Sequence, residues 1–279
     1  MILTEPKRAE QGRMQQPINQ PNIMQNYCKT IGALAAASAL VAGNASAIEI
    51  DYEIHGGYTS EYIWRGIDLG NDLVEGGINA STEVSGFGLS AGAWYASYEA
   101  QINGVSGPPF NTMDADELDL YAEASYDLGF VNVAVGYIYY QFNQGRANTI
   151  LAPLDDAQEL YVSLSRDFGM VDVYATYYGD IESDNDGYTE FGASNETELT
   201  DCLTLSSGLA LGYLVEEGDF VHLTAKVALD YAFTETATLS PFVGYALSLS
   251  EGGTNHVGTS LYTGATNQFF AGCMLTVGF

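Results

Sequence analysis

From residue 48 to the end, the chain alternates apolar and polar residues in segments of about ten. No apolar run after residue 47 approaches the roughly 18 to 20 residues that a spanning helix requires. A helical membrane protein is thereby excluded, and an all-β fold is predicted. The final segment shows the alternation best. Phe269, Ala271, Cys273, Leu275, Val277 and Phe279 share one face, while Gln268, Gly272, Thr276 and Gly278 share the other. The same pattern sets Val131, Val133, Val135, Tyr137 and Tyr139 against Asn132, Ala134 and Gly136, and Leu203, Leu205, Leu209, Leu211 and Tyr213 against their neighbours. It also puts Val221, Leu223, Ala225, Val227, Leu229 and Tyr231 on one face. About 12 segments of this kind are readable, the weakest around Tyr188 to Thr197.

Connection lengths alternate as well. Ser85-Gly86, Asp127-Leu128-Gly129 and Asp167-Phe168-Gly169 are tight turns, whereas roughly Gln101 to Ala115, Gln144 to Asp155 and Glu251 to Thr266 are long links. Short and long connections in turn, with an even strand count, predict a transmembrane antiparallel up-and-down β-barrel over 48–279. The short turns and both termini are expected in the periplasm, and the long loops outside. Tyr58, Tyr62, Trp64, Tyr95, Tyr137, Tyr139, Tyr177, Tyr213 and Tyr245 are expected to form an aromatic girdle. A soluble β-sandwich also alternates, but it would bury the apolar face. The terminal phenylalanine, the loop asymmetry and the girdle favour the membrane. Pro241 inside the eleventh segment lacks a backbone donor and is expected near the rim or at a bulge.

The N-terminus has the form of an address. Lys29, the apolar stretch Ile31 to Ala42 and Ala45-Ser46-Ala47 match a secretory signal over 24–47, and polar residues 1–23 are expected to be an over-extended or disordered start. Processing after residue 47 leaves 34 acidic residues against Arg65, Arg146, Arg166 and Lys226. Such a polyanion offers no basic patch for phosphates, which excludes nucleic-acid binding. The remaining Cys202 and Cys273 fall on non-neighbouring strands, so no structural disulfide is expected.

The segment Gly57-Tyr58-Thr59-Ser60-Glu61-Tyr62-Ile63-Trp64-Arg65-Gly66-Ile67, followed by Glu75-Gly76-Gly77 and Phe87 to Tyr98, resembles the opening of the TorF-type porin family. In that family an S-x-Y-x-[FW]-R-G stretch ends the first strand. The resemblance implies an outer-membrane barrel whose transport function is poorly assigned, and it supplies no catalytic residues.

Parity along the segments predicts a pore lined by Glu49, Asp51, Glu53, Glu61, Arg65, Glu75, Glu117, Asp119, Glu123, Glu159, Asp172, Lys226 and Asp230, with His55, Asn79, Glu83 and Asp180 on the same face. Carboxylates lining a pore favour cations. Inward Arg65 is expected to pair with Glu61 and Glu75, as a constriction or a structural clamp. Phe279 is expected to be read by the insertion machinery. His55, His222 and His256 do not converge, and no Ser-His-acid spacing marks an enzyme. Glu182 to Gly187 starts like a calcium loop, but Ala193 stands where the closing Glu belongs, so neither a metal nor a cofactor is implied. The sequence therefore predicts passive diffusion of small cationic solutes. The alternative is a structural or adhesive barrel with no open pore. Expected partners are small cations, outer-membrane lipids and lipopolysaccharide, the barrel insertion machinery and further copies of the chain.

Overall fold

The computed structural model describes residues 49–101, 112–144, 156–182, 187–249 and 267–279. Twelve strands run in chain order: β1 (Asp51–Trp64), β2 (Ile67–Val84), β3 (Phe87–Gln101), β4 (Thr112–Asp127), β5 (Asn132–Gln144), β6 (Ala157–Asp167), β7 (Asp172–Asp180), β8 (Tyr188–Thr200), β9 (Leu203–Leu214), β10 (Asp219–Ala232), β11 (Ala237–Ser248) and β12 (Gln268–Gly278). Each pairs antiparallel with the next, and β1 pairs with β12, so the sheet closes on itself. Closure leaves no edge with unpaired backbone groups. Tyr52 and Phe279 complete the seam by exchanging backbone hydrogen bonds at 2.9 Å.

The burial pattern is inside out. Val74, Ile78, Val135, Leu160, Leu209, Val243 and Phe269 are exposed on the outer surface, while Glu75, Asn79, Glu117, Asp119, Thr176 and Glu190 are buried on the inner one. A soluble sandwich would do the reverse, so the outer face is built for an apolar surround.

The turns after β2, β4, β6, β8 and β10, the start of β1 and the end of β12 share one rim. There Ser85 and Gly86 take positive φ in a two-residue turn, and Asp127 and Asp167 accept from the backbone N–H of Gly129 and Gly169. At the opposite rim the chain leaves β3, β5, β7 and β11 through segments that lie wholly or partly outside the described residues. The expected signal segment, His256 and most of the calcium-like loop also lie outside them.

The eighth strand, the weakest in the sequence, is present with Tyr188, Glu190 and Ser194 buried and Phe191 exposed, and its register to β9 slips only between Glu198 and Thr200. Two local expectations change. Pro241 sits within β11 at neither a bulge nor the rim. Its missing N–H interrupts the ladder to β10 between Phe242 and Leu239 without altering register, and its pairing with Cys273 of β12 continues. Val221 does not face outward: the ladder to β9 steps from Phe220 to His222, and this bulge turns Val221 into the interior. Cys202 and Cys273 are both free.

The inner wall is tightened by rings laid over glycines on the facing strand. A Cβ at Gly136 would come within 2.2 Å of Tyr161, at Gly192 within 2.0 Å of Tyr174, and at Gly244 within 2.2 Å of Phe270. Each of these is a directly paired residue, so ring and gap are matched across the ladder.

A lumen crossed by an inward-folded hairpin

The alternation of β1 and β2 fails at their tips. From Tyr62 to Gly70 both parities turn buried, with Tyr62, Ile63, Ile67, Asp68 and Leu69 all nearly inaccessible. A strand pair in a wall has one outer face, so a pair buried on both faces has left the wall. The sequence shows why. Tyr62, Ile63, Trp64, Ile67 and Leu69 put apolar side chains on both faces of the tip, and neither face could be left in water.

Three features bend the hairpin inward. β1 pairs with β12 only as far as Thr59 and Gly272, and beyond that point the Ser60 hydroxyl accepts the Ala271 N–H at 3.0 Å in place of a backbone carbonyl. The β1–β2 register slips between Tyr62 and Ile63, and the β2–β3 register slips between Asn71 and Val74, where Asp72 takes φ 53°. Gly70 passes so close to β3 that a Cβ there would meet the Glu99 carbonyl at 2.2 Å. The apex is a two-residue turn, Arg65 at φ 50° and Gly66 at φ 77°, with Trp64 paired to Ile67. Such a turn is common with Asn-Gly. With arginine the left-handed conformation costs roughly 1–2 kcal/mol, which the contacts of its side chain must offset.

Those contacts reach across the barrel. The Arg65 guanidinium donates from both terminal nitrogens to the two carboxylate oxygens of Glu159 on β6, each at 2.7 Å. The same guanidinium lies 4.4 Å from the Trp64 ring, 4.4 Å from Tyr178 on β7 and 4.6 Å from Tyr188 on β8. Tyr140 on β5 also donates to Glu159, at 2.8 Å. Behind Tyr188 the network continues to Glu190 at 3.0 Å and His222 at 2.8 Å. Gly66 lies so close to His222 that a Cβ would meet its side chain at 2.3 Å.

The remaining walls are engaged by the hairpin's other side chains. Tyr62 packs edge-on against Tyr98, leans on Trp94 and donates to Glu117 of β4 at 2.8 Å. Ile63 joins Phe242, Ala246 and Phe270 of β11 and β12. Asp68 accepts from Gln268 at 2.7 Å. The tip thus spans the lumen from β3 to β12.

Several sequence-predicted wall residues therefore carry defined partners. Glu75 accepts from Trp94 at 2.9 Å, Glu123 from Tyr161 at 2.8 Å, and Glu53 from Asn79 at 3.0 Å. Asp230 accepts from Ser206. Lys226 holds its ammonium 3.8 Å over the Phe242 ring, within electrostatic reach of Glu75 and Asp230. Asp119 and Asp172 are buried on the wall, and one Asp119 oxygen has no hydrogen-bond partner among the described residues. Asp51 lies exposed at the start of β1, and Glu49 lies exposed ahead of it, both at the rim where β12 ends. Glu61 is partly exposed on β1 opposite Asn71, just before the bend.

Two expectations are overturned. Arg65 pairs with Glu159, 94 residues away, rather than with Glu61 or Glu75, because the turn carries it off its own strands and across the lumen. Tyr62 and Trp64 are not girdle residues, since they travel inward with the tip; Tyr58, Tyr95, Tyr177 and Tyr245 do remain exposed outside. Sequence reading missed Glu190, Tyr140 and Tyr188. The last was hidden with its weak strand, although Tyr188, Glu190 and Ser194 against Phe191 is a legible two-residue period.

No family model matches the chain. No curated protein matches it. Among solved structures it is similar to an outer membrane channel from Pseudomonas putida F1, at 12% identity and a TM-score of 0.52, over 85% of this chain and 97% of that one. The NanC porin aligns at 13% identity with a TM-score of 0.47, over 81% and 98% of the two chains. At 12% identity the first likeness is one of fold, and the fold of this chain is a closed 12-stranded antiparallel barrel.

Proposed function

We propose that this protein is a porin-like channel of the bacterial outer membrane, for passive diffusion of small, preferentially cationic solutes, with the β1–β2 hairpin as its constriction. The observation that carries this reading is the charge of the inner surface. Glu75, Glu117, Asp119, Glu123, Glu159 and Glu190 project inward from four strands, and among the described residues only Arg65 and Lys226 supply inward positive charge at this depth. In a lumen this narrow, carboxylates act on a passing ion with little intervening water to screen them. The likeness of the opening segment to TorF-type porins fits the same reading. The rim with the turns after β2, β4, β6, β8 and β10 and the end of β12 faces the periplasm, and the longer connections face outward, where they meet lipopolysaccharide. The insertion machinery reads the C-terminal strand ending in Phe279.

The test is a reversal potential in a planar bilayer under a salt gradient. The native channel is expected to reverse on the cation side, and Glu117→Gln with Asp119→Asn and Glu123→Gln is expected to move the potential toward zero. Anion preference overturns the reading. A structural barrel with no open pore is favoured by one observation, the filling of the lumen by the hairpin. The same recording separates the two, because a permanently plugged barrel conducts nothing.

A further inference from the structure

The pocket that Arg65 fills is made almost wholly by the barrel wall. Tyr140, Glu159, Tyr178 and Tyr188 come from four successive strands, β5 to β8, and only Trp64 arrives with the hairpin. Withdrawing the hairpin would leave this pocket intact. Its chemistry is specific: two carboxylate oxygens each take one N–H from a planar fork at 2.7 Å, and tyrosine rings at 4.4 and 4.6 Å face the cation. A bidentate, ring-stacked site suits guanidinium far better than an ammonium, which is a point charge without a fork. The Arg65 Nε has no hydrogen-bond partner among the described residues, so the pocket grips the terminal fork and ignores the nitrogen that bears the tether.

Resting on the channel reading, we propose that this pocket is a recognition site for guanidinium-bearing solutes, with Arg65 as a tethered occupant that such a solute displaces. Emptying the pocket leaves the buried Glu159 carboxylate uncompensated, which opposes withdrawal of the hairpin. A solute that delivers its own guanidinium to Glu159 removes that opposition. The equilibrium between docked and withdrawn hairpin shifts only because the solute binds the withdrawn state and not the docked one. Opening is therefore coupled to the arrival of a permeant of the right chemistry. Solutes carrying a simple ammonium or a quaternary amine lack the fork and leave the hairpin docked.

The experiment vacates the pocket and offers it a free ligand. Arg65→Gly removes the side chain and suits the positive φ at the apex, so the turn is retained. The purified barrel is titrated calorimetrically with guanidinium chloride at millimolar concentration, with tetramethylammonium chloride as the comparator. Saturable guanidinium binding is expected, at least tenfold tighter than in Arg65→Gly with Glu159→Gln, and tetramethylammonium is expected to bind neither. In bilayers the Arg65→Gly channel should conduct more than the native one and be blocked by guanidinium with the same dependence on Glu159. Equal binding with and without Glu159, or equal binding of the two cations, overturns the proposal. Binding without any conductance upholds the pocket and overturns the channel reading. Conductance with cation preference but no guanidinium binding does the opposite. Arg65→Ala provides a second vacated pocket should the glycine variant not assemble.

Discussion

Two hairpin tips at the same rim behave in opposite ways. The β9–β10 tip, Val215-Glu216-Glu217-Gly218, stands exposed above the wall, whereas the β1–β2 tip folds into the lumen and is buried on both faces. Both are short, so length does not decide the matter. The first carries Glu216 and Glu217 at its apex, and its aromatic pair across the strands, Tyr213 with Phe220, leaves Phe220 exposed. The second carries Tyr62, Ile63, Trp64, Ile67 and Leu69, together with two register slips that let it bend. The contrast teaches that alternation sets a strand's face only while one face is polar. Once both are apolar the strand pair needs a second surface, and in a barrel the inside is the surface at hand.

Grafting the exposed tip onto the buried one tests that contrast most severely. Replacing residues 62–69 of β1–β2 with a short acidic turn like that of β9–β10 should raise single-channel conductance several-fold. An unchanged conductance would mean that the hairpin does not limit the pore. Next in size is Glu159→Gln, which leaves a guanidinium uncompensated inside the barrel and should weaken docking by about 3 kcal/mol. A double-mutant cycle with Arg65→Ala, read as the frequency of open events, should show coupling of about 2 kcal/mol; additive effects would break the latch. Gly66→Ala should act more gently in energy but in the same direction. It adds roughly 1–2 kcal/mol of backbone strain and drives a methyl into His222, while alanine at Gly218 of the exposed tip, also at positive φ, meets only Tyr213 at 3.8 Å. Comparable gains in conductance from both substitutions would erase the distinction between the tips. The mildest test is positional. With Cys202→Ser as background, a cysteine at Glu216 should be labelled on intact cells by an impermeant reagent and one at Leu128 should not, and the reverse result would invert the orientation.

The wall was legible in the sequence because its physics is local. Outward Leu160, Val162 and Leu164, or Val133 and Val135, follow from a two-residue period that needs no knowledge of the partner strand. The same parity put Glu117, Asp119 and Glu123 opposite outward Leu120, but it left Glu190 unread on the weak eighth strand. The hairpin was not legible, because its fate is set by residues far off in sequence. Nothing near Arg65 announces Glu159, and nothing near Tyr62 announces Glu117. Parity also fails where a bulge intervenes, as at Val221, and it fades where the outer face has few large apolar residues, as on β8 with Phe191 and Leu199 eight residues apart.

The docking partners of the hairpin also carry a consequence for assembly. Tyr62 meets Glu117 from 55 residues away, Arg65 meets Glu159 from 94, and Asp68 meets Gln268 from 200. The tip is among the first parts of the described chain to be made, yet its seat does not exist until the twelfth strand has closed the sheet. Contacts of such span form late, because the loops they close must first be ordered. A complete but undocked cylinder must therefore precede the native protein. Refolding should show two kinetic phases, with Trp64 fluorescence changing after the heat-modifiable barrel band has already formed.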